Sequence, residues 1–221
     1  MTALRYRAVL FDLDGTLVDS YAALADAVNH ALRTHGLQEI DTGRIRHLVG
    51  DGIEALLQRA LKNDNVPASV TAAFESRYDE VCCTASRVLD DVDATLEELT
   101  GAGVPMGVCT NKPTFFSKKI LDWLKLSAHF RAIVGPDLAG ARKPDGRHVV
   151  RALEEMGCTT RDALFVGDMP IDVAAARNAG IDVAVVPTGS SSYEQLVGAR
   201  PDYILDRLSD LVHIVRSGVA V

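Results

Sequence analysis

Six short apolar runs recur along this chain. They fall at residues 8–13, 104–110, 132–135, 164–167, 183–186 and 203–205. Several are apolar at consecutive positions rather than at every second one, which is typical of strands buried on both faces of a parallel sheet. This feature constrains the fold most, because strands without a polar face need helices on both sides of the sheet.

Helical patterns lie between most of these runs. The segments at residues 93–102, 113–125 and 145–156 carry apolar residues at the spacing of one helix face. Pro170 and Gly180 mark the expected start and end of a further helix. This alternation of strands and helices predicts an α/β fold with a doubly wound parallel sheet.

The alternation stops between residues 18 and 85, where no strand run appears. Three helical patterns occupy this stretch, and the last spans residues 69–82. The first is expected to be capped by Ser20 and to stop at Gly36. The sequence therefore predicts an all-helical insertion after the first strand, large enough to be a separate unit.

Composition limits the partners that we expect for this chain. Its 221 residues are 48% hydrophobic, which suffices for a core in one large domain or in one domain with an insertion. The net charge of −7 and the lack of a basic tract argue against nucleic acid or an anionic membrane as a partner. No apolar stretch approaches the roughly 18 residues of a membrane span and no signal peptide is evident, so a cytoplasmic location is expected.

Polar residues follow the strands at one end of the predicted sheet. In open α/β sheets, ligands collect at the carboxyl ends of the strands. The residues at these ends, or in the connection before the helix at 145–156, are Asp12, Asp14, Thr110, Asn111, Lys112, Lys143, Asp168 and Asp172. We therefore expect carboxylates, a lysine, a hydroxyl and an amide at one edge of the sheet.

Acids gathered at one point need a cation. Hard oxygen ligands in an incomplete set suit Mg²⁺, which keeps some waters and takes phosphate oxygens from a substrate. Lys143 and Thr110 offer a point charge and a hydroxyl donor to an anion. A divalent metal, anion-binding donors and a free carboxylate together indicate phosphoryl transfer, which depends mostly on positioning and charge neutralisation.

Roles follow from the expected positions of these residues. Asp12, at the strand end, can attack phosphorus and form an aspartyl-phosphate. Asp14 can give a proton to the leaving oxygen and later take one from the attacking water. Asp168 completes the metal shell, and Lys143 offsets the repulsion between Asp12 and a phosphate. Gly15 lets the chain turn away without a Cβ penalty.

Each motif also has a purely structural interpretation. Two acids can simply end a strand, and the residues around Asn111 can cap a helix. Lys143 can be a solvated surface lysine. Asp168 and Asp172 can be a strand end and an acid in the first turn of a helix, where the helix dipole favours it. The conjunction of all the motifs at the ends of the right elements favours the catalytic interpretation.

These motifs resemble those of the haloacid dehalogenase-like hydrolase superfamily, and within it those of the phosphoglycolate phosphatase-like group. The four segments are FDLDGTLVDS with Asp12 and Asp14, VCTNK with Thr110, RKPDG with Lys143, and VGDMPIDVAAARNAG with Asp168 and Asp172. The resemblance implies a Rossmann-like catalytic core made of residues 1–17 and 86–221. It also implies a small mobile cap made of residues 18–85.

The resemblance implies roles for individual residues as well. Mg²⁺ would be bound by Asp12, by the backbone carbonyl of Asp14 and by Asp168, with Asp12 as the nucleophile. The residues that would hold the phosphate are Thr110, Asn111 and Lys143. The residues that would support the site are Gly15, Thr16 and Asp172. The cap loop that would face the site and help to choose the substrate is formed by Gly50, Asp51 and Gly52.

The expected activity is Mg²⁺-dependent hydrolysis of a small phosphorylated metabolite similar to phosphoglycolate, by a monomer or a homodimer. A sugar phosphomutase of the β-phosphoglucomutase type stays open on the same scaffold. It would shield the aspartyl-phosphate from water and need basic groups for a bisphosphate. The insertion offers Arg33, Arg44, Arg46, Arg59, Lys62 and Arg77.

Other activities are less favoured by the sequence. A catalytically silent binding protein is a further interpretation, although no catalytic position is lost. Dehalogenation would not need the second acid that Asp14 supplies. Phosphonate hydrolysis would need a cap lysine, and Lys62 lies in a polar stretch that is typical of a helix end.

Overall fold

The computed structural model describes residues 4–217 of the chain. The strands, in chain order, are β1 (Ala8–Phe11), β2 (Val18–Asp19), β3 (Arg87–Val88), β4 (Met106–Cys109), β5 (Ala132–Val134), β6 (Ala163–Gly167), β7 (Asp182–Val185) and β8 (Tyr203–Ile204). Six of them form a parallel sheet in the order β5-β4-β1-β6-β7-β8, and β2 and β3 pair as a separate antiparallel ribbon. The predicted α/β fold with a Rossmann-like parallel sheet is confirmed.

Helices cover both faces of this sheet and fill the segment between β2 and β3. They are α1 (Tyr21–Thr34), α2 (Thr42–Arg46), α3 (Ile53–Leu61), α4 (Ala68–Val81), α5 (Val92–Gly101), α6 (Thr114–Trp123), α7 (Pro136–Ala139), α8 (Gly146–Glu155), α9 (Pro170–Ala179), α10 (Tyr193–Ala199) and α11 (Leu211–Ser217). We call α1 to α4, with their connecting loops, the insertion.

The central strand β1 shows why the strand patterns lack polar alternation. Val9 and Phe11 point into an apolar cluster that extends from one face of the sheet into the insertion. Leu10 points into a second cluster on the opposite face, where Val149 of α8 and Phe165 of β6 also lie. Because both faces of β1 are buried, apolar side chains are favoured at every position of the strand.

The register of the sheet brings three strand ends to one edge. Phe11, the last residue of β1, lies opposite Val108 of β4 and Val166 of β6. The next residue along β1, Asp12, still donates its backbone N–H to the carbonyl of Val166 at 2.9 Å. Thr110 continues β4 in the same way and donates to the carbonyl of Val134 at 3.1 Å. The residues that follow β1, β4 and β6 are therefore neighbours.

The insertion joins the sheet through the two-stranded ribbon. Val18 pairs with Val88 and Asp19 with Arg87, so the chain leaves and returns at one place. The Arg87 guanidinium also lies 2.7 Å from the Asp19 carboxylate. Within the insertion, α1 packs along α4. Apolar residues of the insertion continue the cluster that covers one face of the sheet.

The sequence prediction missed the short elements. The six predicted strands are all present, and the long predicted helices shift by one or two residues at their ends. A strand is expected at residues 17–20, where β2 lies, but β3 and helices α2, α7, α10 and α11 were not predicted, because two to seven residues are too few to show a clear period. No helix within residues 4–217 combines the length and the apolar character needed to cross a bilayer.

Candidate active site

A cavity of about 40 Å³ lies between the carboxyl edge of the sheet and the insertion. Its core face, the wall contributed by the sheet side, consists of Asp12, Asp14, Thr110, Asn111 and Lys112. Its insertion face, the opposite wall, consists of Leu24, Val49, Gly50, Gly52, Ile53, Leu56 and Tyr78. Five of the polar residues predicted from the strand ends thus line one cavity, opposite a largely apolar wall.

Asp12 is the nucleophile candidate, and its carboxylate lies at the centre of the polar residues. It is mostly buried, and the Lys143 Nζ lies 2.8 Å from its Oδ1. Among the described residues, Oδ1 has no hydrogen-bond partner besides this ion pair. A buried carboxylate oxygen held by charge alone leaves a lone pair free for a ligand or a reaction.

Lys143 is buried and not a solvated surface residue, since its side chain is only 1% exposed. Its Nζ lies between Asp12 and Asp172, and it donates to Asp172 Oδ1 at 2.6 Å. Burial by itself would lower the pKa of Lys143, but the charges of Asp12 and Asp172 outweigh it and raise the pKa above its ordinary value. Lys143 is therefore a fixed cation behind the nucleophile candidate.

Three buried acids form a cluster at this point. Oxygen atoms of Asp12, Asp168 and Asp172 all lie within 4.8 Å of one another. Burial, and then the charges of Asp172 and Asp12, raise the pKa of Asp168 well above its ordinary value. Burial also raises the pKa of Asp172 to about 6, although Lys143 opposes the shift. The raised pKa values mean that one lysine supplies too little positive charge for all three carboxyl groups to ionise together.

This charge deficit fits a hard divalent cation. The donors are carboxylate oxygens, and Asp12 Oδ1 accepts no hydrogen bond that a metal ion would have to displace. Thr16 fixes Asp168, a further candidate ligand, because the Thr16 hydroxyl donates a hydrogen bond to Asp168 Oδ1 at 3.0 Å. Asp172 holds the turn together, since its Oδ2 accepts from the backbone N–H groups of Asp168 and Met169 at 3.1 and 3.0 Å.

Asp14 lies in the cavity wall with both carboxylate oxygens engaged. Ser20 donates its hydroxyl to Oδ1 at 2.5 Å, and the Lys112 Nζ lies 2.7 Å from Oδ2. The prediction that the Ser20 side chain caps helix α1 is wrong. Ser20 occupies the N-cap position, but its side chain makes no capping hydrogen bond. A carboxylate accepts a stronger, charge-assisted hydrogen bond than a neutral partner offers.

The side chains of Thr110 and Asn111 differ in how many hydrogen bonds they make. Thr110 is buried and lines the cavity. Asn111 does not cap helix α6. Its Oδ1 accepts from the backbone N–H of Lys143 at 2.8 Å, and its Nδ2 donates to the carbonyls of Lys143 and Gly50 at 3.2 Å each. Asn111 therefore ties the lysine loop and the insertion loop to the end of β4.

The loop of the insertion reaches the cavity through its two glycines. Gly50 and Gly52 line the cavity, with φ angles of 135° and 94° that side-chain-bearing residues rarely adopt. The Asp51 carboxylate instead pairs with Arg59 and lies in a neighbouring groove. Of the three loop residues predicted to face the site, Gly50 and Gly52 line the cavity and Asp51 does not.

Gly15 is required at its position by space as well as by conformation. Its φ is 89°, and a Cβ there would lie 2.6 Å from both Asp168 Oδ2 and the Tyr21 hydroxyl. A side chain at this position would push Asp168 away from Asp12. The expectation that Gly15 turns the chain without a Cβ penalty agrees with this geometry.

The structure brings three residues into the site for which the sequence patterns predicted no role in the site. Lys112 was noted as part of the segment after β4, and its proximity to Thr110 was the available signal. Ser20 was noted only as a helix cap. Tyr78 was unmarked, because a tyrosine on the apolar face of a helix has the pattern of an ordinary core residue.

Comparison with known proteins agrees with this geometry. The family described as "Haloacid dehalogenase-like hydrolase" matches residues 9–186. A phosphoglycolate phosphatase of Aquifex aeolicus (strain VF5) is 37% identical over 209 residues, which is 95% of this chain and 96% of that protein. A phosphoglycolate phosphatase of Caulobacter vibrioides is 38% identical over 189 residues, covering 82% of this chain and 79% of that protein.

Solved structures show the same arrangement of elements. The crystal structure of a predicted phosphoglycolate phosphatase from Haemophilus somnus 129pt superposes with a TM-score of 0.87 at 29% identity. That match covers 95% of this chain and 98% of the other. A predicted phosphatase from Clostridium acetobutylicum superposes with a TM-score of 0.84 at 28% identity, over 94% of this chain and 97% of the other.

The fold, the strand-end acids and these matches define the class. The chain belongs to the haloacid dehalogenase-like hydrolase family. Within that family it falls in the phosphoglycolate phosphatase-like group, and it is a hydrolase of phosphoric monoesters.

Proposed function

We propose that this enzyme is a Mg²⁺-dependent phosphatase that hydrolyses a small phosphorylated metabolite of the phosphoglycolate kind through an aspartyl-phosphate on Asp12. The observation that carries this proposal is the setting of Asp12. Its Oδ1 is buried and, among the described residues, is contacted by the Lys143 ammonium alone, with the acids Asp168 and Asp172 close by. Relatives named for phosphoglycolate hydrolysis support the substrate class.

The residues that would hold Mg²⁺ are the carboxylates of Asp12 and Asp168, with the backbone carbonyl of Asp14. Asp172 belongs to the same cluster of acids. When bound, the ion supplies positive charge that lets a phosphate approach these carboxylates. Lys143 adds to this charge from behind Asp12, where it is already fixed by two carboxylates.

The first step is transfer of the phosphoryl group to the protein. The Asp12 carboxylate attacks phosphorus, and the bond between phosphorus and the ester oxygen breaks. Asp14, which pairs with Lys112 as a carboxylate in the free enzyme, takes up a proton from water as substrate binds and gives it to that oxygen. Thr110 holds a phosphoryl oxygen, and Lys143 offsets the charge of the phosphoryl group from behind Asp12. The alcohol leaves, and Asp12 carries the phosphoryl group.

The second step returns the enzyme to its starting state. Asp14, now a carboxylate, takes a proton from a water molecule as the water attacks phosphorus. The bond between Asp12 and phosphorus breaks, phosphate is released, and Asp14 is protonated again. Asp14 thus serves both steps, as acid and then as base, which requires that its carboxyl group be held in one place.

The insertion acts in this proposal as the cap, made of residues 18–85 over a core of residues 1–17 and 86–221. Its apolar face closes the cavity against water, which strengthens the electrostatic interactions inside. The small size of the cavity and its position between α1, α3, α4 and the strand ends support this role.

The cavity supports a phosphatase over a phosphomutase. A bisphosphate would need a second set of cations, and within the described chain no basic residue of the insertion lines the cavity. Arg59 and Arg77 pair with Asp51 and Asp26 instead, and Arg46 donates to backbone carbonyls outside the cavity wall.

A phosphate-release assay with and without Mg²⁺ tests the proposal. The substrates are phosphoglycolate, pyrophosphate and sugar phosphates, assayed with the wild-type enzyme and the Asp12→Asn variant. We expect release from a small phosphomonoester that disappears with EDTA and with Asp12→Asn. The matched control Asp90→Asn, at an exposed position, retains activity. Activity retained in Asp12→Asn, or isomerisation of a sugar phosphate without phosphate release, would contradict the proposal.

A further inference from the structure

Tyr78 provides the one polar side chain on the insertion face of the cavity, among the described residues that line it. Its ring is fixed by packing. It stacks on Phe74 of the same helix with centroids 5.5 Å apart, and it meets Phe116 of α6 edge-on at 5.0 Å. The ring therefore has little freedom, and its hydroxyl has a defined direction toward the core face.

The Tyr78 hydroxyl meets the ammonium group of Lys112, which comes from the core face. Lys112 Nζ donates to the Tyr78 hydroxyl at 2.7 Å, lies 2.7 Å from Asp14 Oδ2, and sits 4.8 Å from the centre of the Tyr78 ring. The Lys112 side chain is only 5% exposed. Burial would lower the pKa of Lys112, but Asp14 and Tyr78 outweigh it and keep the ammonium charged.

This contact crosses from the insertion to the core. Tyr78 and Lys112 lie 34 residues apart in the chain, on α4 and after β4, and they meet only because α4 lies over the strand ends. Ser20, the other partner of Asp14, stands directly before α1. Both oxygens of Asp14 are thus held by groups that belong to the insertion or touch it.

We propose that Tyr78 is a positioning residue that acts through Lys112 to hold the carboxyl group of Asp14 for proton transfer. The proposal rests on the proposed function, because Asp14 acts there as acid and base. Lysine has a flexible four-carbon stem. Without the Tyr78 hydroxyl, Lys112 loses the second anchor that directs it to Asp14 and can turn toward the other acids of the site.

The consequence depends on the leaving group of the substrate. An alkyl phosphate needs a proton on its leaving oxygen, whereas p-nitrophenolate departs as a stable anion. General acid catalysis therefore matters for the first and little for the second. The parameter kcat/KM reports the steps up to phosphoryl transfer to Asp12, so it isolates the acid role of Asp14 from its later role as a base.

The experiment compares kcat/KM of the wild type and Tyr78→Phe on a small alkyl phosphate and on p-nitrophenyl phosphate. Tyr78→Phe keeps the ring contacts and removes only the hydroxyl. We expect a loss of roughly 10-fold on the alkyl phosphate, a part of the full contribution of an acid catalyst, and a loss below about 2-fold on the aryl phosphate. In an Asp14→Asn background, Tyr78→Phe should cause no further loss on the alkyl phosphate.

Tyr6→Phe is the matched control. Tyr6 is also a buried tyrosine, and its hydroxyl contacts Asp182 and Tyr203, away from the cavity. This variant should not separate the two substrates. Equal losses on both substrates in Tyr78→Phe, as a merely structural role would give, overturn the inference, and so does no loss on either. A wild-type enzyme without activity on either substrate overturns the proposed function instead, and the inference with it.

Discussion

The two faces of the cavity are built in opposite ways. The core face buries charged groups, each fixed by a partner of opposite sign, as Asp12 is by Lys143 and Asp14 by Lys112. The insertion face is made of aliphatic side chains and glycines, with the Tyr78 hydroxyl as its polar side-chain group among the described residues. We therefore expect the core face to carry the chemistry, and the insertion face to exclude water and to select the substrate by size.

This difference has an energetic reason. Charges that are buried without partners cost several kcal/mol, so the core face tolerates no change of charge. Apolar contacts depend on volume and are individually weak, so the insertion face tolerates exchanges that conserve volume. Four predictions test this contrast between the two faces, and they are given in order of decreasing effect.

Loss of the buried cation should have the largest effect. Lys143→Met leaves Asp12 and Asp172 close together without their shared ammonium, so kcat should fall about 10²–10³-fold, as for loss of one preorganised group at a reacting centre. Folding stability should fall by about 3–5 kcal/mol, as for a broken buried ion pair. Kinetics and urea unfolding measure both effects. The exposed Lys118→Met is the control, and an active, stable Lys143→Met would refute the charge argument.

Removal of one acid should weaken metal binding. In Asp168→Asn the cluster loses a negative charge and a candidate ligand, so the Mg²⁺ concentration for half-maximal activity should rise more than about 10-fold. Titration calorimetry with Mg²⁺ gives an independent readout. Asp206→Asn, at an exposed position, should bind Mg²⁺ like the wild type. An unchanged Mg²⁺ dependence in Asp168→Asn would remove Asp168 from the metal site.

The insertion face should respond to volume, and two adjacent leucines of α3 test this. Leu56 lines the cavity, whereas Leu57 is buried in the core of the insertion and does not line it. Either change to alanine should cost about 2–5 kcal/mol of stability. Only Leu56→Ala should shift the ratio of kcat/KM toward bulkier phosphomonoesters, by several-fold. The same shift in Leu57→Ala would mean that cavity volume does not select the substrate.

The smallest effect concerns a histidine on the core side. His148 of α8 is buried, and burial, followed by the charge of Lys143, lowers its pKa to about 4 from the ordinary 6.5. Between these values the unfolded chain binds a proton that the folded chain does not, so the contribution of His148 to stability is lost as the pH falls. The loss is at most about 3 kcal/mol.

Comparison of unfolding free energies at pH 7 and pH 4.5 in the wild type and His148→Gln isolates this contribution. The wild type should lose more stability than the variant over this interval. His213→Gln, at an exposed position, should behave like the wild type. The same pH dependence in the wild type and in His148→Gln would show that the histidine is not held neutral beneath the core face.

Much of the fold was predictable because its patterns are local. The run before Asp12 is apolar on consecutive residues, which only a strand covered on both faces explains well. Pro170 and Gly180 bound a helix by conformational preferences of their own, and the helix found there is α9 (Pro170–Ala179). The ribbon formed by β2 and β3 has two residues in each strand, which is too few to show a period of apolar residues.

The site was predictable to the extent that strand ends determine it. Parallel strands end at one edge of the sheet, so Asp12, Thr110 and Asp168 had to be neighbours once the strands were known. The orientation of Asp51 was not predictable, because its carboxylate is directed by an ion pair with Arg59 of the following helix, α3. Nor was the interaction of Ser20, since the same residue type at the same position ordinarily caps a helix.

Short-range patterns of residue types were enough to show which groups lie at the strand ends and what kind of chemistry they suit. Which of these groups touch one another depends on the packing of the folded chain. It placed Lys143 between Asp12 and Asp172, and it brought Tyr78 onto Lys112. Such contacts join residues that are distant in the chain. They depend on the packing of whole elements, which no local pattern of residue types encodes.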